Sequence, residues 1–114
     1  MPISHEDVSE NLRRIALTGR LDSRGTDEIA VTFAALSTAG QRRVVVDLTG
    51  INFLASIGIR ALLGNAKALQ QKGGRMVLFV GGNAAVMKTL AATGIDTLIP
   101  MYADAAEAEK AALA

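Results

Sequence analysis

Few residues of this 114-residue chain are equipped for chemistry, and most of those stand alone. There is no cysteine, which excludes thiol nucleophiles, disulfides, Cys-ligated zinc and iron–sulfur clusters together. The single histidine, His5, falls in an N-terminal segment expected to be flexible, and no Ser–His spacing pairs a nucleophile with a base. It reads as a surface residue. Gly81-Gly82-Asn83 lies between a strand-like and a helix-like run, where a nucleotide loop would sit. It matches neither the dinucleotide fingerprint nor the P-loop pattern, and reads as a tight turn with Asn83 capping the next helix. Asp22 and Asp47 both fall near the expected carboxyl ends of strands, where open α/β sheets bind ligands. They suit a small-ligand, nucleotide or cation site, or simple capping and turn roles.

Ser56 is the most informative position. It follows an apolar run and immediately precedes a helical pattern. As a helix cap, its hydroxyl would accept a bond from the first free backbone N–H groups. A phosphate on it would meet the same N–H groups and the positive end of the helix macrodipole. The flanking Leu54, Ala55 and Ile57 are apolar for a loop, and Phe53 is expected to anchor that loop in the core.

These residues must be positioned by elements that the hydrophobic periodicity outlines. Ile3 to Val8 is a weak strand candidate; Ser9-Glu10-Asn11 makes a turn; Leu12 to Leu17 ends a half-buried strand that Gly19 breaks. Asp22 and Ser23 offer caps for a helix with Ile29, Phe33 and Leu36 inward, closed by Gly40. Val44-Val45-Val46-Asp47-Leu48 reads as a central strand buried on both faces. Ile59, Leu62, Leu63, Ala66 and Leu69 form one helical face, stopped by Gly73-Gly74. Met76 to Val80 is another buried strand, and a helix from Asn83 to Gly94 turns Val86, Met87 and Leu90 inward. Leu98-Ile99-Pro100 is a short last strand at a sheet edge, and Ala103 to Ala114 a terminal helix. The order ββαβαβαβα implies one small α/β domain over residues 1–114. Its sheet should be mixed but mostly parallel, of four to five strands, with about four helices.

Composition narrows the function classes. Half the residues are apolar, enough for a core without metal or disulfide. Twelve basic residues against eleven acidic give a net charge of +1, which argues against nucleic-acid binding. Arg13-Arg14 and Arg42-Arg43 read as solvated strand ends. The N-terminus lacks an apolar signal region and no apolar run approaches the roughly 20 residues of a membrane helix. The expected location is the cytoplasm, with no direct membrane insertion, no cofactor, no metal and no enzymatic activity.

Several segments together resemble the STAS family, the domain of anti-sigma factor antagonists and sulfate-transporter tails. Leu17-Thr18-Gly19-Arg20-Leu21-Asp22, Asp47-Leu48-Thr49-Gly50, Phe53, and Ala55-Ser56-Ile57-Gly58-Ile59 follow that pattern. Gly73-Gly74, Ala85-Val86-Met87-Lys88 and Thr93-Gly94-Ile95 continue it, so the resemblance covers nearly the whole chain. It implies that Ser56 is a phosphoacceptor. It also implies a partner-binding face of Asp22, Leu54, Ala55, Ser56, Ile57 and Gly58, which meets a kinase-type anti-sigma factor or related regulatory protein. Ala55 stands where the family has Asp, and Ile57 where it has a second hydroxyl residue. Two other readings stay open: a constitutive accessory domain of a transporter or lipid-transport complex, and a small-ligand or nucleotide sensor.

Overall fold

Val44, Val45 and Val46 are at most 1% exposed, the burial expected of a strand with layers on both its faces. The computed structural model describes residues 2–38 and 43–114. Strands β1 (Ile3–Asp7), β2 (Leu12–Leu21), β3 (Arg43–Leu54), β4 (Arg75–Phe79) and β5 (Met101–Tyr102) form one sheet in that spatial order. β1 is antiparallel to β2 and every other pairing is parallel. Helices α1 (Ser23–Ser37), α2 (Ser56–Gln71), α3 (Ala84–Thr93) and α4 (Ala105–Leu113) connect and cover it.

Side-chain alternation along β3 divides the core. Val44, Val46 and Leu48 face Ile29 and Phe33 of α1, Leu62 and Leu69 of α2, and Val86 and Leu90 of α3. Val45 turns the other way, onto Ala108 and Ala112 of α4 with Leu12 and Val77. The result is a single small α/β domain with three helices on one face and one on the other.

Several expectations need correction. Gly19 does not end β2; the strand passes through it with register shifts near Ala16–Thr18 and Gly19–Arg20. β3 likewise runs on through Thr49-Gly50 to Leu54. Both extensions are too polar to read as strand, but they hydrogen-bond to each other, Thr18 opposite Gly50 and Leu21 opposite Leu54. The last strand follows Pro100 rather than including it, because Ile95–Thr97 forms a 3₁₀ turn. Met87 faces outward at 36% exposure. His5 lies in β1 opposite Ile15, not in a flexible segment. Arg13 is buried rather than solvated: its guanidinium grips both carboxylate oxygens of Asp7 at 2.7 and 3.2 Å and donates to the Leu36 carbonyl. Arg14 pairs with Glu109 of α4. Gly40 and Arg42 lie outside the described residues. Gly73-Gly74 do stop α2, through bonds from Gly73 N–H to Gln70 and from Gly74 N–H to Leu69.

The inward face of α2 centres on Leu62, fully buried, while Leu63 is only partly covered. Leu62→Ala is expected to cost about 2–5 kcal/mol in urea unfolding, and Leu63→Ala well under half of that. Equal losses would mean that the helix is rotated from the position described.

Candidate functional site

Two helices begin side by side where β2 and β3 end. Leu21 and Leu54, the last residues of those strands, are opposite one another. The chain leaves β2 through Asp22, the N-cap of α1, whose carboxylate accepts from Gly25 N–H at 2.9 Å. This first turn folds over its own strand so tightly that a Cβ on Gly25 would lie 1.7 Å from the Arg20 carbonyl oxygen. No side chain larger than hydrogen fits there.

The chain leaves β3 through Ala55, whose N–H donates to the Leu21 carbonyl at 3.0 Å. Ala55, not Ser56, is the N-cap of α2, and no side chain caps this helix. That corrects the capping role considered for Ser56. Ser56 is the first helical residue and is exposed. Its hydroxyl therefore stands beside helix N–H groups that have no intrahelical acceptor. Ile57 is 39% exposed.

Gly58 is buried, and a Cβ there would lie 2.8 and 2.9 Å from Leu21 Cβ and carbonyl oxygen, and 3.0 Å from Leu54 Cδ1. Its smallness lets α2 start against the end of β2. Leu54 is also core, 7% exposed. Of the six residues assigned to a partner-binding face, Ser56 and Ile57 are exposed, Asp22 and Ala55 are half-buried, and Leu54 and Gly58 hold the others from beneath.

The sequence reading missed Arg20 and misplaced Phe53. Phe53 is not an anchor in the core; it belongs to β3 and is 42% exposed. Arg20, its cross-strand partner, places its guanidinium 4.4 Å from the ring centroid. The same guanidinium donates to the Asp22 carboxylate at 3.3 Å. No local signal marked this pair, because Arg20 and Phe53 meet only through the pairing of the two strand ends. Beyond Phe53, a recess of about 100 Å³ opens between Asn52 and Phe53 on one side and Ala85 and Thr89 of α3 on the other.

Asp47 does not join this cluster. It lies opposite Ala16, about 15–20 Å back along the strands from Asp22, and accepts from the amide and hydroxyl of Thr49. A site using both carboxylates at once is therefore not formed. Asn83 caps α3 by accepting from Val86 N–H, and its amide nitrogen donates to the Ile51 carbonyl at 2.7 Å. The Gly81-Gly82-Asn83 turn thus ties α3 to β3.

What this crest offers chemically is an exposed hydroxyl at an uncapped helix start, flanked by Ile57, Phe53 and an Arg20–Asp22 pair. Among the described hydrogen bonds there is no base to activate the hydroxyl. The Gly25 amide, helped by Arg20, holds the Asp22 carboxyl below its ordinary value. The stabilisation linked to this lowering is complete above the unfolded-state value of about 3.9 and is lost as pH falls through the lower folded value. Asp22→Asn keeps a capping oxygen without the charge. Its melting temperature should therefore decline less than the wild type's as pH is lowered from about 6 to about 3, and parallel declines in thermal melts would deny the linkage.

The family model described as "Mlab, STAS domain" matches residues 4–100. BtrV of Bordetella bronchiseptica (strain RB50), an anti-sigma factor antagonist by designation, is 33% identical over 72 residues. That match takes in 63% of this chain and 62% of BtrV, so the chain spans about three fifths of that relative's length. The anti-sigma F factor antagonist of Paenibacillus polymyxa is 30% identical over 92 residues, 77% of this chain and 75% of that one. In three dimensions the chain is similar to the crystal structure of an anti-sigma factor antagonist from Mycobacterium paratuberculosis. The TM-score is 0.82 at 21% identity, over 98% of this chain and 93% of that one. With the family pattern matched across most of its length, from β1 to the approach of β5, this chain belongs to the STAS domain family and carries the fold of its anti-sigma factor antagonists.

Proposed function

We propose that this chain is a non-catalytic regulatory module of the anti-sigma factor antagonist type, acting in the cytoplasm as one domain over residues 1–114. A kinase-type anti-sigma factor docks on the crest at the starts of α1 and α2, and phosphorylation of Ser56 releases it. The observation that carries this reading is the state of Ser56: exposed, first in its helix, and free of any capping duty. A hydroxyl that the fold does not use is available to a kinase.

The docking face consists of Asp22, Ala55, Ser56 and Ile57, with Phe53 extending it toward α3. Leu54 and Gly58 set its shape from below. In the transfer, the Ser56 oxygen attacks the γ-phosphorus of ATP held by the partner, losing its proton as ADP leaves. The product adds about −1.5 to −2 charges at pH 7. The start of α2 stabilises that charge in the free domain. A partner pressed against Ile57 and Phe53 would have to strip water from it, while Arg20, the cation of this strand pair, is already engaged by Asp22 and the Phe53 ring. Such a buried unpaired charge costs on the order of 2–5 kcal/mol, about thirty- to several-thousand-fold in affinity.

A second reading is favoured by Ala55 and Ile57, which surround the serine with apolar rather than polar groups. On that reading the domain is a constitutive accessory subunit of a transporter or lipid-transport complex, and the same face binds without a switch. Titration calorimetry of the wild type, Ser56→Ala and Ser56→Asp with the anti-sigma factor distinguishes the two. The switch predicts that Ser56→Ala binds as tightly as the wild type, and that Ser56→Asp folds but binds markedly more weakly. Because Ser56 caps nothing, Ser56→Ala should alter stability by no more than about 0.5 kcal/mol. Equal affinities across the three proteins would remove the switch, and failure of all three to bind the anti-sigma factor would favour the constitutive adaptor.

A further inference from the structure

Arg60 is the first ionisable side chain of α2, one turn beyond Ser56. Gly58, Leu62 and Leu69 are the buried residues of this helix. Its opposite face is therefore turned to water, and Ser56 and Arg60 are both exposed on it. Four residues apart, they stand about 40° from one another around a helix of 3.6 residues per turn, with Cβ atoms about 5–6 Å apart. Helical side chains also lean toward the N-terminus, so a long one covers the turn before its own Cα. The turn before Arg60 begins with Ser56.

The Arg60 guanidinium has no counter-charge in the unmodified chain. No ion pair among the described residues involves it. Helix α2 holds no carboxylate, Arg60 and Lys67 being its ionisable residues. Arg20, by contrast, is held by Asp22 and the Phe53 ring. Near the positive end of a helix an acid is the favoured residue and a lone cation is not. A phosphate on Ser56 supplies the missing acid. It would stand N-terminal to its base at a spacing of four, the better of the two orders for a helical ion pair.

We propose that Arg60 is the counter-ion of phosphorylated Ser56, drawn back over the first turn of α2 onto the phosphate. The inference rests on the reading of Ser56 as a phosphoacceptor and names the residue that receives the modification. The pair forms in water, in the free domain. A partner that covers the phosphate either parts this pair or buries both charges, and each course is costly. Arg60 thus stabilises the released state of the switch.

The test is a ³¹P NMR pH titration of the full chain synthesised with phosphoserine at position 56, so that neither kinase nor partner enters. The second ionisation of phosphoserine, ordinarily near pH 6, adds a unit of charge facing Arg60, and the pair therefore lowers its midpoint. Arg60→Gln alters an exposed residue. It should raise the midpoint by about 0.2–0.4 pH, the equivalent of one exposed pair at this spacing, and Arg60→Lys should keep part of the lowering. The start of α2, the Arg20–Asp22 pair and the Arg24–Glu28 pair of α1 are common to all three chains and cancel in the difference. Raising sodium chloride to about 1 M should shrink that difference. Equal midpoints in the Arg60 and Arg60→Gln chains at low salt would overturn the proposal, as would a difference that salt leaves untouched or an Arg60→Lys midpoint no lower than that of Arg60→Gln. An anti-sigma factor that neither binds nor phosphorylates the chain would count against the proposed function alone, because this titration needs no kinase.

Discussion

The bond from the Ala55 amide to the Leu21 carbonyl is the contact on which the crest depends. It joins the chain leaving β3 to the chain leaving β2, and so brings the starts of α1 and α2 together. A single backbone hydrogen bond contributes only about 0.5–1.5 kcal/mol net, so it cannot act alone. It is enforced by packing: Gly58 lies against Leu21 with no room for a methyl group, and Leu54 closes the same contact. These buried residues fix where the exposed ones stand. Ser56 and Ile57 have one position because Leu54 and Gly58 have no alternative.

A second constraint acts on the β2 side. Gly25 folds over the Arg20 carbonyl while its amide holds Asp22, and Asp22 in turn shares Arg20 with the ring of Phe53. An exposed cation–π contact is worth about 0.5–1 kcal/mol, too little to stabilise the fold but enough to favour one orientation of an otherwise mobile arginine. The polar strand extensions make sense in this light. β2 and β3 continue past their apolar cores, through Gly19 and Gly50, and carry Arg20 and Phe53 up to the level of the helix starts.

How much of this could be read from residues alone follows from what periodicity reports. The triple-valine strand, the apolar face of α2 and the caps at Asp22 and Asn83 were legible, because burial and capping leave a local signature. The family resemblance led to Ser56. The far halves of β2 and β3 were not legible: Thr18-Gly19-Arg20 and Thr49 to Asn52 have turn-like composition, and only their pairing with each other makes them strand. Phe53 was assigned to the core on hydrophobicity, although alternation with the buried Leu54 points it outward. Ser56 was considered as a cap because serine often is one; one residue of register gave that position to Ala55. Nor does any local pattern show that Gly58 lacks space for a methyl group, since Leu21 comes to it from β2, far off in the sequence.

The proposed docking face lies at the Ser56 end of the sheet, and hydrogen exchange of the full chain with the proposed anti-sigma factor partner tests that placement most directly. Added protection should concentrate on residues 20–25 and 53–59, with residues 63–76, at the far end of α2 and the start of β4, unchanged. Protection centred on residues 63–76, with the starts of α1 and α2 exchanging as in the free chain, would contradict it.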